Sequence, residues 1–117
     1  MSREFSKQIM LGTALWGWGV EKREVFALLD AFLDLGGQYI DAATNYPING
    51  VAEDFGRAAA WLGEWLNSNT GTKLSVLLKV GSKNNLGSPD ADLSPEVFAQ
   101  AEKRYQEIFR GNLSALA

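Results

Sequence analysis

Three side chains in this sequence have types and positions suited to moving a proton: Asp41, Tyr46 and Lys79. Asp41 closes a short apolar run, Tyr46 follows in a segment containing Asn45, Pro47 and Asn49, and Lys79 interrupts the otherwise aliphatic stretch Leu74 to Val80. A phenol with a pKa of about 10 is a weak acid at neutral pH. An ammonium beside it favours the phenolate left after proton transfer, and a carboxylate keeps that ammonium charged and oriented. Such a trio suits proton donation to a substrate oxygen. The same residues also fit a buried Asp–Lys ion pair beside a packed tyrosine, and spacing alone does not separate the two readings. Other chemistries are excluded outright. With 0 Cys and 0 His, the chain has no thiolate nucleophile, disulfide, imidazole base or ordinary zinc site.

The trio belongs to one site only if the fold brings it together, and the hydrophobic pattern describes a fold that would. Short apolar runs alternate with helical periods, the signature of βα units around a parallel sheet. Ile9 to Leu15 reads as a strand running into the Gly- and Trp-rich stretch that ends at Gly19. Glu21 to Leu35 places Val25, Leu28, Leu29, Phe32 and Leu35 on one helical face, and Gly36 and Gly37 stop it. Tyr39 to Asp41 is a second strand, followed by an irregular loop to Gly50. A second helix is predicted over Val51 to Leu66, with Val51, Phe55, Ala58, Leu62 and Trp65 inward and with Glu53 and Asp54 placed against its dipole. Leu74 to Val80 suits a strand buried on both faces. Ser94 as N-cap and Pro95 at the first helical position open a third helix, lined by Phe98, Ala101, Tyr105 and Ile108. Parallel strands present their C-terminal ends at one face, so Asp41, Tyr46 and Lys79 are expected to be neighbours.

Three units in 117 residues give about 39 residues each, and eight such units make roughly 310, within the range of a closed eight-fold barrel. The fold class expected is therefore α/β: three consecutive βα units of a (β/α)8 barrel, residues 1–117 forming a single partial domain. No Gly-rich nucleotide-binding turn follows any strand. At 46% hydrophobic and 21% charged, with a net charge of −3 spread along the chain, the composition is that of a globular domain with no nucleic-acid surface. No apolar run is long enough for a membrane span, and the polar start MSREFSKQ lacks the apolar core of a signal peptide, so a cytoplasmic location is the expectation. Trp16 and Trp18 are candidates to line a substrate pocket, with simple packing as the alternative, and Trp61 and Trp65 fit core positions. Asn112-Leu113-Ser114 matches a glycosylation acceptor pattern, which is read as coincidental.

With these residues in hand, the chain resembles the N-terminal part of the aldo/keto reductase family. The resemblance rests on LGTALWG at 11–17, DAATNY at 41–46, Glu53 followed by Gly56, and LLKVG at 77–81, in that order, and it runs from about Gln8 to Phe109. It implies that Asp41, Tyr46 and Lys79 are three of the family's four catalytic residues, that Gly12 and Thr13 approach the nicotinamide end of the cofactor, and that NADPH or NADH delivers hydride to an aldehyde or ketone. Two departures stand out. Ala42 replaces a common Thr, and the fourth catalytic residue, a histidine at the end of a fourth strand, has no counterpart because the chain is expected to end before that strand. The resemblance therefore implies a small carbonyl substrate for the complete protein, doubtful cofactor binding and inactivity for the isolated chain, and self-association or pairing with the missing barrel portion. The competing class is a non-enzymatic binding or regulatory module on the same scaffold.

Overall fold

The computed structural model describes residues 9–117. The polar start read above as lacking a signal peptide, residues 1–8, lies outside the described residues, as does Gln8 at the edge of the family resemblance. Four parallel strands form one sheet in sequential order: β1 (Met10–Gly12), β2 (Tyr39–Ala43), β3 (Ser75–Lys79) and β4 (Leu113–Leu116). Three helices connect them, α1 (Lys22–Asp34), α2 (Arg57–Ser68) and α3 (Pro95–Ile108). Successive strand residues point to opposite faces. Ile40, Ala42, Val76 and Leu78 are buried, whereas Tyr39, Asp41, Leu77 and Lys79, on the other face, remain partly open.

The helices start and stop where the sequence dictates. Glu24 accepts a hydrogen bond from the Glu21 backbone N–H at 3.1 Å at the head of α1, and Gly36 and Gly37 donate to Leu33 and Phe32 at its tail. Ser94 caps α3 by accepting from Val97 N–H, with Pro95 first in the helix. Val25 and Leu29 of α1 and Ala58, Leu62, Trp65 and Leu66 of α2 join the strand residues in one core, to which α3 adds Ala101 and Tyr105. The Trp65 indole N–H donates to Asp30 Oδ1 at 2.9 Å and so ties α2 to α1. A large buried aromatic thereby keeps its one donor satisfied.

Three expectations are corrected. The helix predicted over Val51 to Leu66 is two pieces, a single 3-10 turn at Ala52–Asp54 and then α2, with Phe55 and Val51 about two-fifths exposed instead of inward. The break is made by Gly56, whose φ of 79° lies in the left-handed region where a continuing helix cannot pass and where glycine is tolerated. Leu28 and Leu35, expected on the buried stripe of α1, are also exposed. Finally, a fourth strand is present. β4 adds to β3 through Ala117 N–H to Leu78 O and Val80 N–H to Ala117 O, so the chain does not end before that strand. Asn112, at the turn into β4, is buried with its amide engaged on Phe109 O and Leu74 N–H, consistent with a coincidental acceptor pattern. Among the described residues, no helix is long and apolar enough to cross a membrane.

Candidate active site

Lys79 pairs across the sheet with Ala43, which puts its side chain diagonally beside Asp41 on the open face of the strands. Its Nζ lies 3.3 Å from both Asp41 carboxylate oxygens and donates to the Tyr46 hydroxyl. The ammonium also stands 4.7 Å from the centroid of the Tyr46 ring. The three residues singled out in the sequence thus meet at one point, at the C-terminal ends of β2 and β3. Burial works against charge on Lys79, but the hydrogen bonds it donates to Tyr46 and Asp41 more than offset this, and its pKa is raised above the ordinary 10.5. The lysine is held as an ammonium through the neutral range.

Donor and acceptor counts fix the direction of these contacts. An ammonium has only donors, so the bond must run from Lys79 Nζ to the tyrosine oxygen. The phenol proton is therefore free for another acceptor. Asp41 and Tyr46 are half-buried, on a face of the sheet that is not sealed.

Gly12 lies in register with Asp41, one strand away, and is exposed, with nothing within 4 Å of where a Cβ would project. Thr13 is buried, and its hydroxyl donates to Asp41 O at 3.0 Å, so its side chain braces the strand that carries the aspartate. Trp16 is 2% exposed and packs in the core, lining with Gly12 and Leu28 a cavity of about 350 Å³. Trp18 is half-exposed on the following turn, away from that cavity's lining. Glu53 and Asp54 belong to the 3-10 turn, where Asp54 pairs with Arg57 at 2.7 Å and accepts from the Asn49 amide at 2.8 Å.

Sequence reasoning missed the asparagines that hold the Tyr46 loop. Asn45 Nδ2 donates to Asn84 O at 3.0 Å, and Asn85, 1% exposed, donates to Val51 O at 2.7 Å and Pro47 O at 3.2 Å. Asparagine is common in any turn, so composition carries no sign that these amides are buried and bridging.

Comparison with known proteins places the family and the fold. The aldo/keto reductase family model matches residues 8–112. An 11.2 kDa protein from the crtE 3′ region of Pseudescherichia vulneris is 33% identical over 76 residues, 63% of this chain and 74% of that protein. An aryl-alcohol dehydrogenase of Pestalotiopsis microspora is 35% identical over 69 residues, 58% of this chain but 16% of the enzyme. In fold, the chain matches a solved aldo-keto reductase structure from Pseudomonas aeruginosa with a TM-score of 0.66 at 24% identity, covering 91% of this chain and 40% of that one. The chain thus spans two-fifths of that barrel's length and a much smaller share of the dehydrogenase. The family match takes in β1 to β3 and all three helices and ends just before β4, and the chain belongs to the aldo/keto reductase family.

Proposed function

We propose that this chain carries the proton-donating corner of a nicotinamide-dependent carbonyl reductase, with Tyr46 as donor, Lys79 as the ammonium that stabilises the resulting phenolate, and Asp41 as the carboxylate that orients Lys79. The observation that carries this reading is the convergence of Lys79 Nζ on the Tyr46 hydroxyl and on both oxygens of Asp41. With its oxygen occupied by Lys79, the phenol can give its proton outward to a carbonyl oxygen. The open backbone at Gly12 fits the nicotinamide end of NADPH or NADH, which when bound supplies hydride. Carbon gains the hydride and oxygen gains the Tyr46 proton, giving an alcohol. Tyr46 regains its proton from solvent. In the reverse direction the Tyr46 phenolate accepts the alcohol proton, and the Pestalotiopsis relative's name points to aryl alcohols and aromatic aldehydes as the substrate class.

The chain has 0 His and its described residues form a four-stranded sheet, so turnover is proposed for a completed eight-stranded barrel, with the isolated chain inactive. Fusion of residues 8–117 to the C-terminal part of a full-length family member supplies the remaining strands. The fusion is expected to consume NADPH on addition of an aromatic aldehyde, followed by the loss of reduced-nicotinamide absorbance. A fusion that folds and binds NADPH but reduces no carbonyl compound would make the chain a binding module and overturn the proposal.

A further inference from the structure

The hydroxyl of Tyr46 stands at the end of a ring mounted on irregular backbone, and a side chain on a loop is positioned only as well as the loop itself. We propose that Asn85 is a positioning residue that holds Tyr46 against Lys79 by clamping the loop after β2 to the loop after β3. Its side-chain amide nitrogen faces Val51 O at 2.7 Å, Pro47 O at 3.2 Å and Asn49 Oδ1 at 3.4 Å, and its backbone carbonyl accepts from Gly50 N–H at 2.9 Å. All three side-chain neighbours are oxygens, so only the amide nitrogen can face them. The preceding residue repeats the arrangement in reverse: Asn84 O accepts from the Asn45 amide at 3.0 Å.

Residues 45 and 47, on either side of Tyr46, are therefore tied to consecutive residues of the loop that begins just beyond Lys79. The proton donor and its ammonium sit on two strands, and the two loops leaving those strands are bolted together at this asparagine. Backbone bonds also hold the loop at Thr44, whose N–H donates to Lys79 O at 3.0 Å, and at Tyr46, whose carbonyl accepts from Ala58 N–H at 3.2 Å, but the carbonyls of Pro47 and Val51 are joined to the second loop by the Asn85 side chain. Without the Asn85 amide, the carbonyls of Pro47 and Val51 turn to water, and the ring swings away from Lys79.

The functional meaning of this clamp rests on the proposed role of Tyr46, but its test does not involve turnover. In the full chain, the nuclear Overhauser cross-peak between the Tyr46 ring and the Lys79 ε-methylene reports the contact directly. Asn85→Ala is expected to abolish it. Asn112→Ala removes a comparably buried asparagine at the opposite end of β3 and is expected to leave it intact, which separates positioning from general loss of stability. A cross-peak retained in Asn85→Ala, or lost equally in both variants, overturns the proposal. If Asn85→Ala does not fold, hydrogen exchange in the unaltered chain decides: slow exchange at the Gly50 amide and the Asn85 side-chain amide is expected, and exchange at the rate of unstructured chain refutes the clamp. Failure here leaves the reductase reading standing, and a completed barrel without reductase activity leaves the clamp standing.

Discussion

Asn112→Ala is the sharpest test of how the sheet is assembled, because one buried side chain joins the start of β3 to the turn before β4. Asn112 Oδ1 accepts from Leu74 N–H at 2.6 Å, and its amide donates to Phe109 O at 2.7 Å. Phe109 O keeps a second partner in the Asn112 backbone N–H at 3.1 Å, so alanine leaves the Leu74 N–H as the stranded group. A buried unsatisfied donor costs about 1–3 kcal/mol, and the lost net hydrogen bonding adds about 0.5–1.5 kcal/mol. The variant is therefore expected to lose about 1.5–4.5 kcal/mol. With a urea dependence of about 2 kcal/mol per molar, the unfolding midpoint falls by roughly 1–2 M. Asn67→Ala is the comparison: its amide donates to Gly63 O at 2.8 Å, but from an exposed position where water can replace it, and a change within about 0.5 kcal/mol is expected. Equal midpoints for Asn112→Ala and Asn67→Ala in urea titrations followed by circular dichroism would refute the reasoning.

Gly81, just beyond Lys79, has φ 102°, and a Cβ there would stand 2.5 Å from Leu93 Cδ2 and 2.8 Å from Asp92 O. Gly81→Ala is expected to cost more than Gly71→Ala, which shares a positive φ but meets nothing within 4 Å and should lose only about 1 kcal/mol; parallel denaturant titrations check the order. The raised pKa of Lys79 predicts a pH dependence of definite sign. A group whose folded pKa lies above its unfolded value of 10.5 stabilises fully below that value, and the contribution is lost as pH rises through the folded pKa. The stability difference between the unaltered chain and Lys79→Met should thus be constant from pH 7 to 9 and shrink above about 10.5. A difference that grows with alkalinity would contradict the assignment.

Legibility in the sequence followed the strength of local signals. Apolar periodicity with a glycine stop placed α1 nearly to the residue, and the Ser94–Pro95 cap placed the start of α3; the aliphatic run around Lys79 placed β3, although Ser75, Leu77 and Lys79 leave one of its faces half-open where both were expected to be buried. Val51 and Phe55 misled because an apolar residue every fourth position looks helical whether or not the backbone continues, and Gly56 turns it aside. β4 has four residues, of which Leu113 and Leu116 alone are large and apolar, too little for periodicity to register. Asp41 and Lys79 were visible because charged groups in apolar strands are anomalous, and Tyr46 because the next loop carries it; β2 nonetheless continues past its expected end at Asp41 to Ala43. Asn45, Asn85 and Asn112 were not, because what makes them matter is burial against carbonyls and an amide of segments more than thirty residues away or three residues back.

The central claim is that Tyr46 gives up its proton with Lys79 at its oxygen, and a single-turnover rate in the completed barrel tests it most directly. Tyr46→Phe removes the hydroxyl and leaves the ring against the ammonium, so NADPH binding should persist while the rate of carbonyl reduction falls by about 10²–10⁴-fold, the usual contribution of a positioned general acid. An unchanged rate in a variant that binds NADPH as tightly as the parent would mean that the proton comes from elsewhere.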